Sequence, residues 1–273
     1  MRNFDPSAAE MIISLWRNRQ LTMAVTRREV AGRYRGSVMG LLWSFLNPIL
    51  MIAVYTFVFS VVFKARWGGS DDENTVQFAV VLFVGVIIHS LFSEVLNRAP
   101  TLVTANVNYV KKVVFPLEIL PVAALGAALF HSLVSMGVLI IAFWIFNGFL
   151  HWTIIFLPLI FIPLLVFILG AAWALASLGV FLRDVGQTIG ILTMIMLFLA
   201  PVFYPVTAVP EYLQFWIRLN PLTFIIEQAR DVLIWGRLPN WFGLGSYALI
   251  AFLVALTGFY WFQKTRKGFA DVL

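Results

Sequence analysis

Four guanidinium groups, Arg27, Arg28, Arg33 and Arg35, stand directly before an uncharged run that begins at Ser37. Arginine forks grip phosphate oxygens in pairs, so this cluster has the chemistry to hold the diphosphate of a lipid-linked molecule at a membrane surface. The same placement serves a plainer purpose, because basic residues beside an apolar run anchor it to anionic lipid and set its direction of insertion. Both readings stand on the residues alone.

Tyr55, Phe59 and Phe63 recur at i, i+4 and i+8, which puts three aromatic rings on one helical face. Sugars stack their C–H faces on such rings, so the stripe is a candidate glycan path; packing and interfacial aromatic belts are the alternative. Gly36 and Gly40 match the G-x-x-x-G pattern of closely approaching membrane helices.

Other chemistries find little footing. His89, His131 and His151 lack metal-ligand spacing, and His131 has no acidic residue within a helical turn. His89 and Glu94, five apart, do not share a helix face, which leaves His89 as a proton relay or a hydrogen-bonded packing residue. The 13 acidic residues fall near the ends of apolar runs or outside them, which argues against ion-coupled transport. The sequence contains no G-x-x-x-x-G-K-[ST] phosphate loop, so energy from ATP has to come through a partner. The absence of Cys excludes disulfides and thiolate chemistry, and Asp71 to Glu73, an acidic triplet, is a poor match to a catalytic centre.

These residues must be positioned by elements that belong in a bilayer. Hydrophobic residues make up 61% of the chain and charged residues 12%, against roughly 25% charged in a soluble domain. Uncharged runs at about 39–63, 76–93, 119–146, 152–182, 185–204 and 239–262, the second giving a span of about 76–96, approach or exceed the roughly 20 residues of a spanning helix. The expectation is an all-α polytopic membrane protein: one transmembrane domain over 1–273, with six transmembrane helices. Residues 1–38 form a cytoplasmic amphipathic segment in which Ile12, Leu15, Trp16, Met23 and Val30 alternate with arginines, and no small-residue cleavage site suggests its removal. Residues 205–238 mix charges with aromatics and break at Asn220-Pro221, which predicts two short re-entrant or interfacial helices on the outer side before the last span.

Of the 19 Lys and Arg residues, 14 fall on the side of the N-terminus and 5 on the other. The positive-inside rule then places both termini, including the 263–273 tail, in the cytoplasm and Asp71 to Glu73 outside. Basic residues flanking spans account for the net charge of +6 without invoking nucleic acid. The cytoplasmic loop 97–118 offers Tyr109, Lys111 and Lys112 to a docking protein or to lipid headgroups.

Five stretches in order, RREVAGRYRGSVMGLLWSFLNP, PLEILP, FLRDVGQ, LAPVFYPVTAVPEYLQFWIRLNPLTFIIEQARD and KGFADVL, resemble the membrane subunit of type-2 ABC exporters of polysaccharides. The likeness is nearest to the permeases for lipid-linked O antigen, with teichoic acid and capsule exporters related. The resemblance implies a homodimer in the bacterial inner membrane, paired with two copies of a separate ABC ATPase that binds ATP and Mg; this chain itself holds no cofactor. It implies a cargo of undecaprenyl diphosphate-linked glycan. It maps a coupling helix onto Asn106, Asn108, Tyr109, Lys111 and Lys112, an N-terminal amphipathic helix onto Glu10 to Arg28, and outer gate helices onto Glu211 to Leu219 and Pro221 to Trp235, which carry Tyr212, Trp216, Asn220 and Pro221. The diphosphate would be gathered by the Arg cluster and the glycan would pass between two first spans. An ATP-independent channel or carrier and a membrane enzyme for lipid-linked sugars are the rival classes.

Overall fold

The computed structural model describes residues 7–62, 67, 75–111 and 115–273, and every regular element among them is helical. In chain order the α-helices are α1 (Ala8–Arg17), α2 (Arg19–Arg33), α3 (Trp43–Tyr55), α4 (Thr75–Arg98), α5 (Val107–Lys111) and α6 (Ile119–Asn147). They continue as α7 (Leu157–Phe181), α8 (Val185–Leu199), α9 (Glu211–Leu219), α10 (Pro221–Leu233), α11 (Trp241–Thr265) and α12 (Phe269–Val272). Phe63, Lys112 and the Asp71 to Glu73 triplet lie outside the described residues.

The N-terminal segment is two helices rather than one. Asn18 leaves the helical region (φ −96°, ψ 13°), and the Ser14 carbonyl accepts both its side-chain amide at 2.8 Å and its backbone N–H at 3.0 Å, which closes α1. The G-x-x-x-G expectation also fails. Gly36 and Gly40 take positive φ of 83° and 51° in the turn between α2 and α3, where no helix face exists and nothing packs against them.

Burial is uneven. The apolar stretch of α4 is 78% buried, whereas that around α3 is 11% buried. A helix that is hydrophobic all round belongs in the centre, and α4 packs against α3, α6, α7, α8 and α10. Phe45, Ile49, Leu50, Val54 and Phe57, on α3 and the wide π turn after it, remain exposed. On the far side, α7 and α11 meet at glycines. A Cβ on Gly258 would come within 2.0 Å of the Gly170 carbonyl oxygen, and one on Gly170 within 2.5 Å of Ala255 Cα, so the two backbones touch where no side chain fits.

Five stretches are long and apolar enough to cross a membrane: Gly40–Phe59, Phe78–Thr101, Ile119–Asn147, Trp152–Phe181 and Trp241–Val272. The expected span at 185–204 is shorter. α8 covers 15 residues, roughly 22 Å of rise against the roughly 30 Å of a hydrocarbon core. Its end is set by Pro201, which pushes the preceding Ala200 to extended backbone (φ −91°, ψ 152°) although the apolar composition runs on.

Candidate functional site

Glu29 and Arg33 sit four apart on α2, and Glu94 and Arg98 sit four apart on α4. The helices run so that the charges pair crosswise: Arg33 Nη1 lies 2.6 Å from Glu94 Oε1, and Arg98 Nη2 pairs with Glu29 Oε2. Beside this quartet Tyr34 and His131 of α6 share a hydrogen bond, the hydroxyl 3.1 Å from Nδ1. Together these elements bound a cleft of about 530 Å³ lined by Arg28, Glu29, Arg33, Glu94, Arg98 and His131.

The four arginines singled out from the sequence do not converge on one point. Arg28 and Arg33 line the cleft, whereas Arg27 lines a separate hollow with Met23, Val30 and Leu41. Arg28 donates to the Tyr109 hydroxyl at 2.9 Å, and that bond raises its pKa further. Arg27 and Arg35 make no hydrogen bond or ion pair among the described residues.

Tyr109 therefore links α2 to α5, and its ring stacks on Phe115 at 4.3 Å between centroids. Asn106 is turned inward as well, donating to the Leu102 carbonyl at 2.9 Å. What the 101–111 segment exposes is a different stripe: Thr101, Ala105, Asn108 and Lys111, spaced as one helical face. Just beyond it stands Glu118, 5% exposed, which receives Ser14 Oγ of α1 and Arg266 Nη1, both at 2.6 Å. Arg266 also donates to the Phe115 carbonyl at 2.7 Å, and Trp173 Nε1 to the Glu118 carbonyl at 2.9 Å. Glu118 thus ties α1 and Arg266 through its carboxylate and α7 through its carbonyl, while Arg266 extends the link to the loop after α5.

At the other end, Tyr55 and Phe59 are half-buried. Tyr55 packs near Phe83 at 6.3 Å, and Phe59 stacks on Phe203 at 5.7 Å and lies 6.0 Å from Phe78. On α9, Tyr212, Phe215, Trp216 and Leu219 form an exposed apolar stripe at i, i+3, i+4 and i+7. Asn220 caps α10, its Oδ1 accepting from the Leu222 amide at 3.0 Å, with Pro221 in the first turn where its missing N–H costs no helical bond. α10 ends at Leu233, two residues short of Trp235.

Arg230, one of the five Lys and Arg counted on the outer side, is 3% exposed. Its guanidinium donates to the carbonyls of Val81 at 2.9 Å, Pro201 at 2.6 Å and Val202 at 3.1 Å, and lies 4.2 Å over the Trp67 ring. It satisfies the backbone that the break after α8 leaves open. His89 takes the packing role, with Nε2 donating to the Thr193 carbonyl at 2.9 Å.

Sequence reasoning missed Glu29, Glu94, Arg98, Glu118, Arg230 and Arg266. The quartet had a visible signal, the same Glu-x-x-x-Arg spacing on two segments; Glu118 had its place between two prolines. Arg230 had none.

The ABC-2 type transporter family model matches residues 20–234. The chain is 25% identical over 263 residues to the O-antigen export system permease protein RfbA of Myxococcus xanthus, covering 96% of this chain and 98% of that one. It is 27% identical to an RfbA permease of Klebsiella pneumoniae, over 93% of this chain and 95% of the relative. The polysialic acid transport protein KpsM of Escherichia coli is 24% identical over 86% of this chain and 89% of its own length.

Proposed function

Because this chain belongs to the ABC-2 type transporter family, we propose that it is the membrane subunit of an ATP-driven exporter that moves undecaprenyl diphosphate-linked polysaccharide, O antigen foremost, across the bacterial inner membrane. The observation that carries the reading is the near full-length match to O-antigen permeases. Capsule export by the same mechanism is the second reading, favoured by the likeness to KpsM over most of both chains.

In this mechanism two copies of the chain pair with two copies of a separate ATPase, as the lack of a phosphate-loop string supports. The termini are cytoplasmic, and α8 with the chain after Pro201 completes a sixth crossing. The exposed stripe Thr101, Ala105, Asn108 and Lys111 is the face the ATPase meets, while Asn106 and Tyr109 hold that face in shape. ATP binding moves the loop, and Glu118 carries the movement to α1 and to Arg266 beside α11.

The lipid diphosphate is met at the arginine cluster. Arg27 and Arg35 are free to take a new anion, Arg28 reaches it by exchanging Tyr109 for phosphate oxygen, and Arg33 flanks it while paired with Glu94. The glycan then passes along α3 between two protomers toward Tyr55 and Phe59, and α9 and α10, with Tyr212 and Trp216 exposed, form the outer gate.

Depletion of the protein is the test. Lipid-linked glycan accumulates on the cytoplasmic leaflet, and an ABC ATPase co-purifies with the tagged chain. Transport by the purified chain with no ATPase present would make it a channel or carrier instead.

A further inference from the structure

A chamber of about 380 Å³ opens between α3, α4 and α6, sharing Arg33, Glu94 and His131 with the quartet's cleft. Its size falls in the roughly 300–1,000 Å³ range of small-molecule sites. Part of its lining is apolar, from Pro48, Met51, Phe83, Ile87 and Leu91. The same elements, the end of α2 and α6 add the polar Tyr34, Asn47, Ser90, His131, Ser132 and Ser135.

Ser132 is the informative member. It is 6% exposed, and its hydroxyl has no hydrogen-bond partner among the described residues, although a membrane-helix serine ordinarily bonds back to its own helix, as Ser135 does to the His131 carbonyl at 2.9 Å. Ser132 stands between this chamber and an apolar hollow lined by Leu129, Met136 and Phe161, and because its oxygen is sealed in this conformation, a turn about χ1 is what brings the unpaired hydroxyl to a ligand's polar atom. Asn47 and Ser90 also keep their side chains unbonded among the described residues. When Tyr34 donates to His131 Nδ1, the imidazole keeps an N–H on Nε2 as a further donor.

Charge narrows the ligand class. Among the described residues lining the chamber only Arg33 and Glu94 are charged, and at 2.6 Å they neutralise each other. A phosphate or an ammonium would have to break that pair, whereas a neutral molecule with one apolar face and several hydroxyls leaves it intact. That describes a pyranose ring.

We propose that this chamber binds one sugar residue of the cargo, its C–H face against Phe83 and Leu91 and its hydroxyls on Asn47, Ser90, Ser132 and His131. Because the chamber shares three residues with the arginine cleft, the sugar it reads is the one next to the diphosphate. The membrane subunit thereby selects the first sugar. This rests on the reading of the chain as a glycan exporter.

The test uses the assembled permease and ATPase in nanodiscs, probed by saturation-transfer NMR with the methyl glycosides of glucose, galactose, mannose, rhamnose and N-acetylglucosamine, and with inorganic phosphate as competitor. At least one glycoside receives saturation from the wild-type protein. Ser132→Ala and the chamber-filling Ser90→Phe each cut the signal about fivefold or more, the loss expected for one hydrogen bond. Ser132→Ala melts no lower than wild type, because it removes an unpartnered hydroxyl, whereas a purely structural serine would lower the melting temperature and leave binding unchanged. The proposal is overturned if no glycoside binds wild type better than Ser90→Phe, if Ser132→Ala binds like wild type, or if phosphate displaces the sugar.

A cellular arm separates this failure from failure of the exporter reading. If the chain exports no glycan, its complete depletion accumulates none. If depletion accumulates lipid-linked glycan and Ser90→Phe, inserted and paired at wild-type levels, does not, the chamber alone is refuted.

Discussion

Arg266 and Glu118, 148 residues apart, are joined at 2.6 Å with side chains only 10% and 7% exposed. Removing one member of a buried pair strands the other charge and typically costs about 3–5 kcal/mol, far more than the pair's net worth. Glu118→Ala and Arg266→Met are therefore expected to lower the thermal stability of the detergent-solubilised protein sharply. The double variant is expected to recover a coupling of about 0.5–3 kcal/mol relative to the sum of the singles. Additive losses in thermal unfolding would mean that the two side chains act independently.

The quartet on α2 and α4 obeys a different magnitude. Its side chains are 23% to 52% exposed, so each pair contributes about 0.2–1 kcal/mol and is screened by salt. Arg33→Glu is expected to leave folding nearly unchanged but to repel Glu94 and loosen α2, read as faster hydrogen exchange across 19–33. Arg33→Glu with Glu94→Arg restores protection if crosswise pairing holds the helix down. Unchanged exchange in the single variant would assign the hold on α2 to its apolar contacts.

The membrane-spanning character was legible because it is a property of composition, and a run without charge needs no knowledge of its partners. The end of α8 was not, since Val202, Phe203 and Tyr204 extend the apolar run past the point where Pro201 breaks the helix. Charge counting places arginines relative to spans but cannot see burial, and so it gave no sign that Arg230 is enclosed. Of the aromatic stripe only Tyr55 and Phe59 fall among the described residues, on either side of the change from α3 to the π turn, and what their rings face depends on α4 and on Phe203, which the stripe itself cannot specify. The Glu-x-x-x-Arg spacing occurs on two segments, yet each admits a pair within its own helix. Only the tertiary fold, which packs α2 on α6 and brings its end to the end of α4, selects the crosswise pairs.

Where α7 and α11 touch, the backbone leaves no room for even a methyl group. Gly258→Ala would bring its Cβ within 2.0 Å of the Gly170 carbonyl, and that oxygen belongs to a helix backbone that cannot swing aside. Overpacking of this kind costs about 1–3 kcal/mol or more. Gly258→Ala and Gly170→Ala are expected to reduce the monodisperse fraction in size-exclusion chromatography, whereas Gly137→Ala on α6, where nothing lies within 4 Å, leaves it unchanged. Equal behaviour of all three would show that the two helices part without cost.

Arg230 closes three carbonyls at once, and no other side chain nearby is described as doing so. Two of them, on Pro201 and Val202, belong to the bend that ends α8; the third, on Val81, lies on the central helix. Arg230→Met keeps much of the side-chain volume but leaves these acceptors open, at about 1–3 kcal/mol for each group that finds no water. Arg230→Lys is not a conservative replacement, because one ammonium cannot reproduce a planar fork aimed at three carbonyls or its position over Trp67. Both variants are expected to loosen α10 and the bend while sparing α1 and α2 at the opposite end. Limited proteolysis checks this: new cleavage between 200 and 240 in Arg230→Met, less in Arg230→Lys, and none within 8–33. Cleavage spread evenly along the chain would mean that Arg230 supports the whole fold rather than this bend.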